Sequence, residues 1–120
     1  MGRMERVNEQ VKREVGQIIH QELADPRLQF VTITKAIVSP DLHNAKIFFS
    51  VIGDVTKEKA AQQGLDGARG IIRRALSQRI EIRYTPELNF YFDKSIELSA
   101  RIDETLQGIH DADKRNTESD

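Results

Sequence analysis

The sequence predicts a single α+β domain in which helices cover one face of a three-stranded sheet. Three observations predict it: an amphipathic helical stretch opens the chain, two β-branched segments joined by a turn follow, and a long helical run separates them from a third strand-like segment. A hairpin followed by a helical crossover to a further strand leaves few arrangements other than helices layered on one side of a sheet. Length agrees, because 120 residues fit one domain of about 100 to 150 residues around a single apolar core.

From Met4 to Leu23, the residues Met4, Val7, Val11, Val15, Ile18 and Ile19 recur at spacings of three and four, which keeps them on one helical face. Asp25-Pro26 stops this helix, since proline disfavours helical geometry in its predecessor and has no amide proton to donate. A short loop is expected there. Residues 30–39 (FVTITKAIVS) and 45–51 (AKIFFSV) are rich in β-branched and aromatic residues, and Ser39-Pro40-Asp41 between them carries turn chemistry. They are expected to pair as antiparallel strands. In the second, Ala45, Ile47, Phe49 and Val51 fall on one face and Lys46, Phe48 and Ser50 on the other. Gly53-Asp54 ends the strand.

Thr56 is the expected N-cap of the long helical run, in which Ala61, Leu65, Ala68, Ile72, Ala75 and Leu76 hold helical phase. Gly64, Gly67 and Gly70 interrupt it, each at about 1 kcal/mol relative to alanine inside a helix. Two helical pieces are therefore expected, meeting at a kink near Gly67 to Gly70. After Pro86, Leu88, Phe90 and Phe92 alternate with Glu87, Asn89 and Tyr91, giving a third strand with one apolar face. Asp93 or Ser95 is expected to cap a final helix packed through Ile96, Ile102, Leu106 and Ile109. The domain is thus expected over residues 1–109, with 110–120 a disordered polar tail.

Composition narrows the function. Hydrophobic residues make up 38% and charged residues 31%, and 18 basic against 19 acidic residues leave a net charge of -1. Bulk charge alone therefore gives no support for nucleic-acid binding, and any such surface depends on where the charges lie. Cysteine is absent, which removes disulfides, thiolate catalysis and cysteine-based zinc sites and fits a reducing cytoplasm. No apolar run approaches the about 20 residues of a membrane span. His20, His43 and His110 are scattered without metal-ligand spacing, and no phosphate loop, nucleophile motif or dinucleotide fingerprint is present. The expectation is a cytoplasmic, non-enzymatic protein with no cofactor, metal, small-molecule substrate or membrane partner. Without a heptad seam, a monomer is expected.

The segment Gly67-Ala68-Arg69-Gly70-Ile71-Ile72-Arg73-Arg74 is the sharpest functional feature. Glycine lets a nucleic-acid backbone approach closely, and the start of a helix offers unpaired amides and partial positive charge to phosphate. On a helical wheel Arg73, Arg74 and Ser77 fall opposite Ile72, Ala75 and Leu76 and are expected to face solvent, whereas Arg79 falls toward the apolar stripe and is expected to snorkel. Taken singly, such arginines most often only keep a helix soluble. A bare GxxG pattern is also weak, and it occurs here twice, at Gly64 to Gly67 and Gly67 to Gly70. Between two helices, within the order helix, strand, strand, helix, helix, strand, it matches the arrangement of a KH domain, whose loop clamps a nucleic-acid backbone.

Lys46, Arg83, Arg6 and Arg13 could extend the surface. Arg6 and Arg13 share an outward face but have Glu5, Glu9 and Glu14 nearby. Tyr84, Phe48 and Tyr91 could stack on unpaired bases, although strand aromatics more often serve packing.

The segments RVNEQVKREVGQIIHQEL, DPRL, VTIT, VSPDLHNAKIFFSV, GD and GARGIIRRALSQRIEIRYTPELNFYFDKS, in this order, resemble the ribosome-binding factor A family along nearly the whole chain. The resemblance implies a type-II KH-like domain in which an Ala-x-Gly interruption, here Ala68-Arg69-Gly70, replaces the usual loop. It also implies a bacterial factor that binds the immature small (30S) ribosomal subunit and 16S ribosomal RNA, assists late assembly, pre-rRNA processing and adaptation to cold, and catalyses nothing. The rival expectation is a protein-interaction module of the same shape without direct RNA binding, which the near-neutral charge favours.

Overall fold

The computed structural model describes residues 2–94. Helix α1 (Arg3–Glu22) leads through a 3-10 turn (Pro26–Leu28) to strands β1 (Val31–Val38) and β2 (Asn44–Val51), then to α2 (Val55–Gly67), α3 (Arg69–Arg79) and strand β3 (Glu87–Phe92). The predicted final helix with Ile96, Ile102, Leu106 and Ile109, and the polar tail, lie outside the described residues.

Local chemistry accounts for the ends of these elements. The Glu5 carboxylate accepts the Gly2 amide at 2.6 Å at the start of α1, which satisfies a donor that the helix leaves open. Where the sequence predicts a loop after α1, Asp25 caps a 3-10 turn by accepting the Arg27 amide at 2.9 Å, with Pro26 at its first position. The cap of α2 is Asp54 rather than the expected Thr56: its carboxylate accepts the Lys57 amide at 3.1 Å. The correction has a physical reason, since Gly53 at φ 139 turns the chain in a way a side chain resists and so delivers Asp54, two positions before Thr56, to the cap position. In the β1–β2 turn the Ser39 hydroxyl donates to Asp41 at 2.6 Å, and the His43 amide donates to the same carboxylate at 3.0 Å. These bonds hold the Asp41 carboxyl below its ordinary value, the hydroxyl contributing most.

The strands lie in the order β1-β2-β3, with β1 and β2 antiparallel and β2 and β3 parallel. The helical crossover makes that parallel pairing possible. Thr34 is an extra residue where the β1 register shifts between Ile33 and Lys35. One face of the sheet presents Val31, Ile33, Ala36, Val38, Ala45, Ile47, Phe49, Leu88 and Phe90 to the core, where they meet Val11, Val15, Ile18 and Ile19 of α1, Ala61 and Leu65 of α2, and Ile72, Ala75 and Leu76 of α3. The alternation read in β2 and β3 therefore describes the covered face correctly.

The predicted kink is present and is centred on Ala68, at φ -95 and ψ 5. Ala68 is bonded to both helices: its amide donates to the Gly64 carbonyl at 3.0 Å, closing the last turn of α2, and its carbonyl accepts the Ile72 amide at 2.9 Å, opening the first turn of α3. The junction is a bent helix and not an open loop. Its three glycines differ in what surrounds them. A Cβ on Gly64 would stand 3.0 Å from Leu28 Cδ2 and 3.2 Å from the Asp25 carboxylate, whereas Cβ atoms on Gly67 and Gly70 would meet nothing within 4 Å.

Gly64→Ala is accordingly expected to lose about 1 kcal/mol through overpacking against the buried Leu28, while Gly67→Ala and Gly70→Ala each gain about 0.5 kcal/mol from helix propensity and a stiffer unfolded chain. Urea unfolding of the three variants checks both signs.

Candidate nucleic-acid interface

The bend sets one continuous outward stripe. Gly67, Gly70, Ile71, Arg74, Ser77 and Gln78 recur at spacings of three and four, so they share the side of α2 and α3 that faces away from the core. Ile71 is 60% exposed although it is a large aliphatic residue, and the inward position beside it belongs to Ile72. The side chain of Arg74 makes no hydrogen bond or ion pair among the described residues, while the Ser77 hydroxyl donates back to the Arg74 carbonyl at 2.6 Å.

The arginines flanking the bend are not equivalent. Arg69 is loosely held: Nη1 donates to Asn89 Oδ1 at 3.3 Å, Nη2 stands 3.9 Å from Asp66, and the covered Nε has no acceptor. Arg73 departs from the helical-wheel expectation of a solvent-facing side chain. Its guanidinium turns onto the chain leading into β3, donating from Nη2 to the Thr85 carbonyl at 2.8 Å and from Nε to the Pro86 carbonyl at 3.1 Å, with the Glu87 carboxylate 3.8 Å away. The wheel omits neighbouring elements, and here a loop with unpaired carbonyls lies within reach of the helix.

Those carbonyls explain the geometry. The Glu87 and Asp93 amides donate to the carbonyls of His43 and Phe49, in β2 and the turn before it, so odd-numbered residues of β3 turn toward β2. By alternation the carbonyls of Pro86 and Phe90 face the open edge. Arg73 satisfies the first, and Gln62 of α2 donates to Phe90 at 2.8 Å. Asn8 of α1 serves the other edge by accepting the Val38 amide at 2.9 Å.

Arg79 does not snorkel along the apolar stripe. It reaches across to α1, donating to Glu22 at 2.6 Å and Glu14 at 3.1 Å, and these two hydrogen bonds, the Glu22 one foremost, hold its guanidinium above the ordinary arginine value. Arg83 lies over the Tyr84 ring at 5.5 Å, and His43 stacks on Tyr84 at 4.4 Å. Arg6 and Arg13 lie on α1, with Arg13 at 3.7 Å from Glu14. Lys46 is on the opposite face of the sheet from the core residues, so the sheet separates it from the stripe at the bend. The structure thus brings Gly67, Gly70, Arg74 and Ser77 together, with Arg69 beside them, and leaves Arg6, Arg13 and Lys46 elsewhere. Sequence reasoning missed Asn8, Gln62 and the Arg79 partners. Asn8 had a signal, a polar residue one position from Val7 inside an apolar seam, and so did Glu14, Gln17, Gln21 and Glu22, whose spacing puts acceptors on one side of α1.

Among the described residues no group of histidine and carboxylate side chains is arranged to hold a metal ion, and no helix is long and apolar enough to cross a membrane.

The sequence model of one protein family, described as Ribosome-binding factor A, matches residues 3–106. A curated relative from Halothermothrix orenii, Ribosome-binding factor A, is 40% identical over 116 residues, spanning 97% of this chain and 95% of the relative. The crystal structure of ribosome-binding factor A from Thermus thermophilus superposes with a TM-score of 0.68 at 27% identity, covering 76% of this chain and 96% of that one. A homology model of the Thermus thermophilus protein, fitted into a cryo-electron-microscopy map of its complex with the 30S subunit, gives 0.61 at 28% identity, covering 72% of this chain and 91% of that one.

Since Arg73 closes a strand edge, Arg73→Lys is expected to lower stability by about 1 kcal/mol, because an ammonium does not reproduce the forked contact to two carbonyls. Faster amide exchange at Glu87, which bonds His43 next to this contact, would accompany it in hydrogen-exchange measurements.

Proposed function

The chain belongs to the ribosome-binding factor A family, and from that premise we propose that it binds the small (30S) ribosomal subunit and its 16S RNA through the outward stripe at the helical bend. The observation that carries the placement is the pair of glycines at 67 and 70. Neither has a neighbour that a methyl group would touch, and neither has the positive φ that requires glycine, which is confined to Gly53 among the described glycines. No packing contact among the described residues calls for the missing side chains, and both positions bear glycine's helix cost. A sugar-phosphate backbone laid against the bend gives both positions a use, because the missing side chains let it approach the helix while Arg74, Ser77 and a swung-out Arg69 supply donors.

The mode follows that of a KH-like module with a bent helix in place of a loop. A bend offers fixed side chains and a helix start rather than a wrapping loop, so the surface holds a phosphate path and leaves sequence to the folded RNA around it. Arg83, Arg6 and Arg13 extend the basic surface as secondary contacts. Residues 1–109 act as the binding domain and 110–120 as a polar appendage. The protein works by binding energy without bond chemistry, stabilising one RNA conformation during late subunit assembly and pre-rRNA processing in the cytoplasm. Misfolded RNA escapes slowly in the cold, and growth at low temperature is where this assistance matters most. The relatives do not favour a protein-interaction role without RNA.

The test is cosedimentation with purified 30S subunits across a salt series. Arg74→Glu is expected to weaken binding about tenfold and to flatten the salt dependence by about one counterion. Gly70→Ala should raise stability while weakening binding. Equal affinities for wild type and both variants would reject this surface.

A further inference from the structure

Strand register places three side chains in one row on the sheet face opposite the core. Lys35 of β1 pairs with Phe48 of β2, and Phe48 pairs with Tyr91 of β3. The Phe48 and Tyr91 rings lie 5.7 Å apart, and Lys35 Nζ sits 4.8 Å from the centre of the Phe48 ring. The next row is Ile37, Lys46 and Asn89. Thr32 and Ser50 pair beyond the aromatic row, and Asn44 and Glu87 pair at the other end. Tyr91 is 43% exposed, so the ring is available from solvent.

We infer that this open face is a second RNA surface, a platform on which unpaired bases stack against Tyr91 and Phe48 while Lys35 and Lys46 meet the phosphates. The inference rests on the reading that the chain binds RNA, but it concerns a different surface, the sheet face opposite the helices, which meets the bend only at the β3 edge, where Arg69 reaches Asn89. Its chemistry favours nucleotides over a protein partner. The large apolar groups are two adjacent rings and one aliphatic side chain, Ile37, set among lysine, amide and hydroxyl groups. A protein-docking patch has a more apolar centre, depleted of charge. Rings beside cations and amides on a sheet suit bases, whose faces stack and whose edges accept and donate.

Charge agrees. Lys35 and Lys46 make no ion pair among the described residues, whereas the carboxylates bordering the face are engaged: Glu87 lies 3.8 Å from Arg73, and Asp93, which is buried, accepts the Thr34 hydroxyl at 2.5 Å. The centre of the face is therefore cationic and its acids lie at the ends. The sheet also fixes the spacing, since neighbouring strands hold the two rings side by side without help from loops.

The chain has two tyrosines and no tryptophan, so Tyr84→Phe leaves Tyr91 as the one strong intrinsic fluorophore of the full-length protein. Titrating that variant with an unstructured ten-nucleotide RNA should quench the emission, as a stacked base does. Tyr91→Ala should weaken binding of the oligonucleotide about tenfold, Tyr91→Phe should retain it, and Lys35→Ala should lower its salt dependence. Emission unchanged at saturation, or equal oligonucleotide affinity for Tyr91→Ala and wild type, would overturn the platform. Quenching by ribosomal proteins freed of RNA, with none by the oligonucleotide, would assign the face to a protein and overturn it too. Arg74→Glu in parallel separates the surfaces: if it impairs 30S binding while Tyr91→Ala alters neither measurement, the bend stands and the platform falls.

Discussion

Ala68 joins α2 to α3 at an angle, and that angle decides how both helices meet the sheet. A straight helix of the combined length of α2 and α3 would overshoot a sheet of three short strands and leave one end of its apolar stripe in water. Turning at Ala68, the single residue at which α2 ends and α3 begins, lets Leu65 and Ala61 pack on one side while Ile72, Ala75 and Leu76 reach the sheet and α1 on the other. The same turn opens the outward side, and there the glycines and Arg74 stand. Packing on the inside and accessibility on the outside are thus two consequences of one dihedral change.

A sheet of three strands has two edges for one interior strand, and bare edges invite association. Here both are served by side chains from the covering helices, Asn8 at β1 and Gln62 and Arg73 at β3. This closure explains why an arginine that a wheel assigns to solvent is drawn inward. The arginine-rich start of α3 divides its labour: Arg73 is committed to the strand edge, Arg69 is tethered by one long hydrogen bond, and Arg74 is unengaged among the described residues. The number of arginines near the bend overstates the number available to a ligand.

Order of elements, the antiparallel hairpin, the buried side of β2 and β3 and the position of the kink were all legible, because each rests on a period or a turn residue within a short window. Contacts between distant segments were not. Arg79 lies in the apolar phase of α3, and nothing within that helix reveals that Glu14 and Glu22, far away in the chain, receive it. Thr56 has the chemistry of a cap, but the sequence does not display the positive φ at Gly53 that puts Asp54 in that place instead. In the candidate site, glycine and arginine types were readable but their states were not. Whether a glycine is required by packing, as at Gly64, or stands in open space, as at Gly67 and Gly70, depends on a neighbour brought by the fold.

A net charge of -1 is compatible with binding a polyanion because the acids and bases are not spent alike. Glu5 accepts the Gly2 amide, Asp54 caps α2, Asp41 holds the hairpin turn, Asp25 binds Arg27, and Glu14 and Glu22 clasp Arg79. These carboxylates have structural duties that fix them at helix ends, turns and one interhelical seam. Arg6, Lys12, Lys46 and Arg74 have no such pairing among the described residues. What an approaching phosphate meets is the local field of unengaged groups within a Debye length of about 8 to 10 Å, and the chain-wide sum averages over distances at which salt has already removed the interaction. Neutral bulk composition and cationic contact surfaces therefore coexist, and the first follows from how many carboxylates the fold uses to hold itself together.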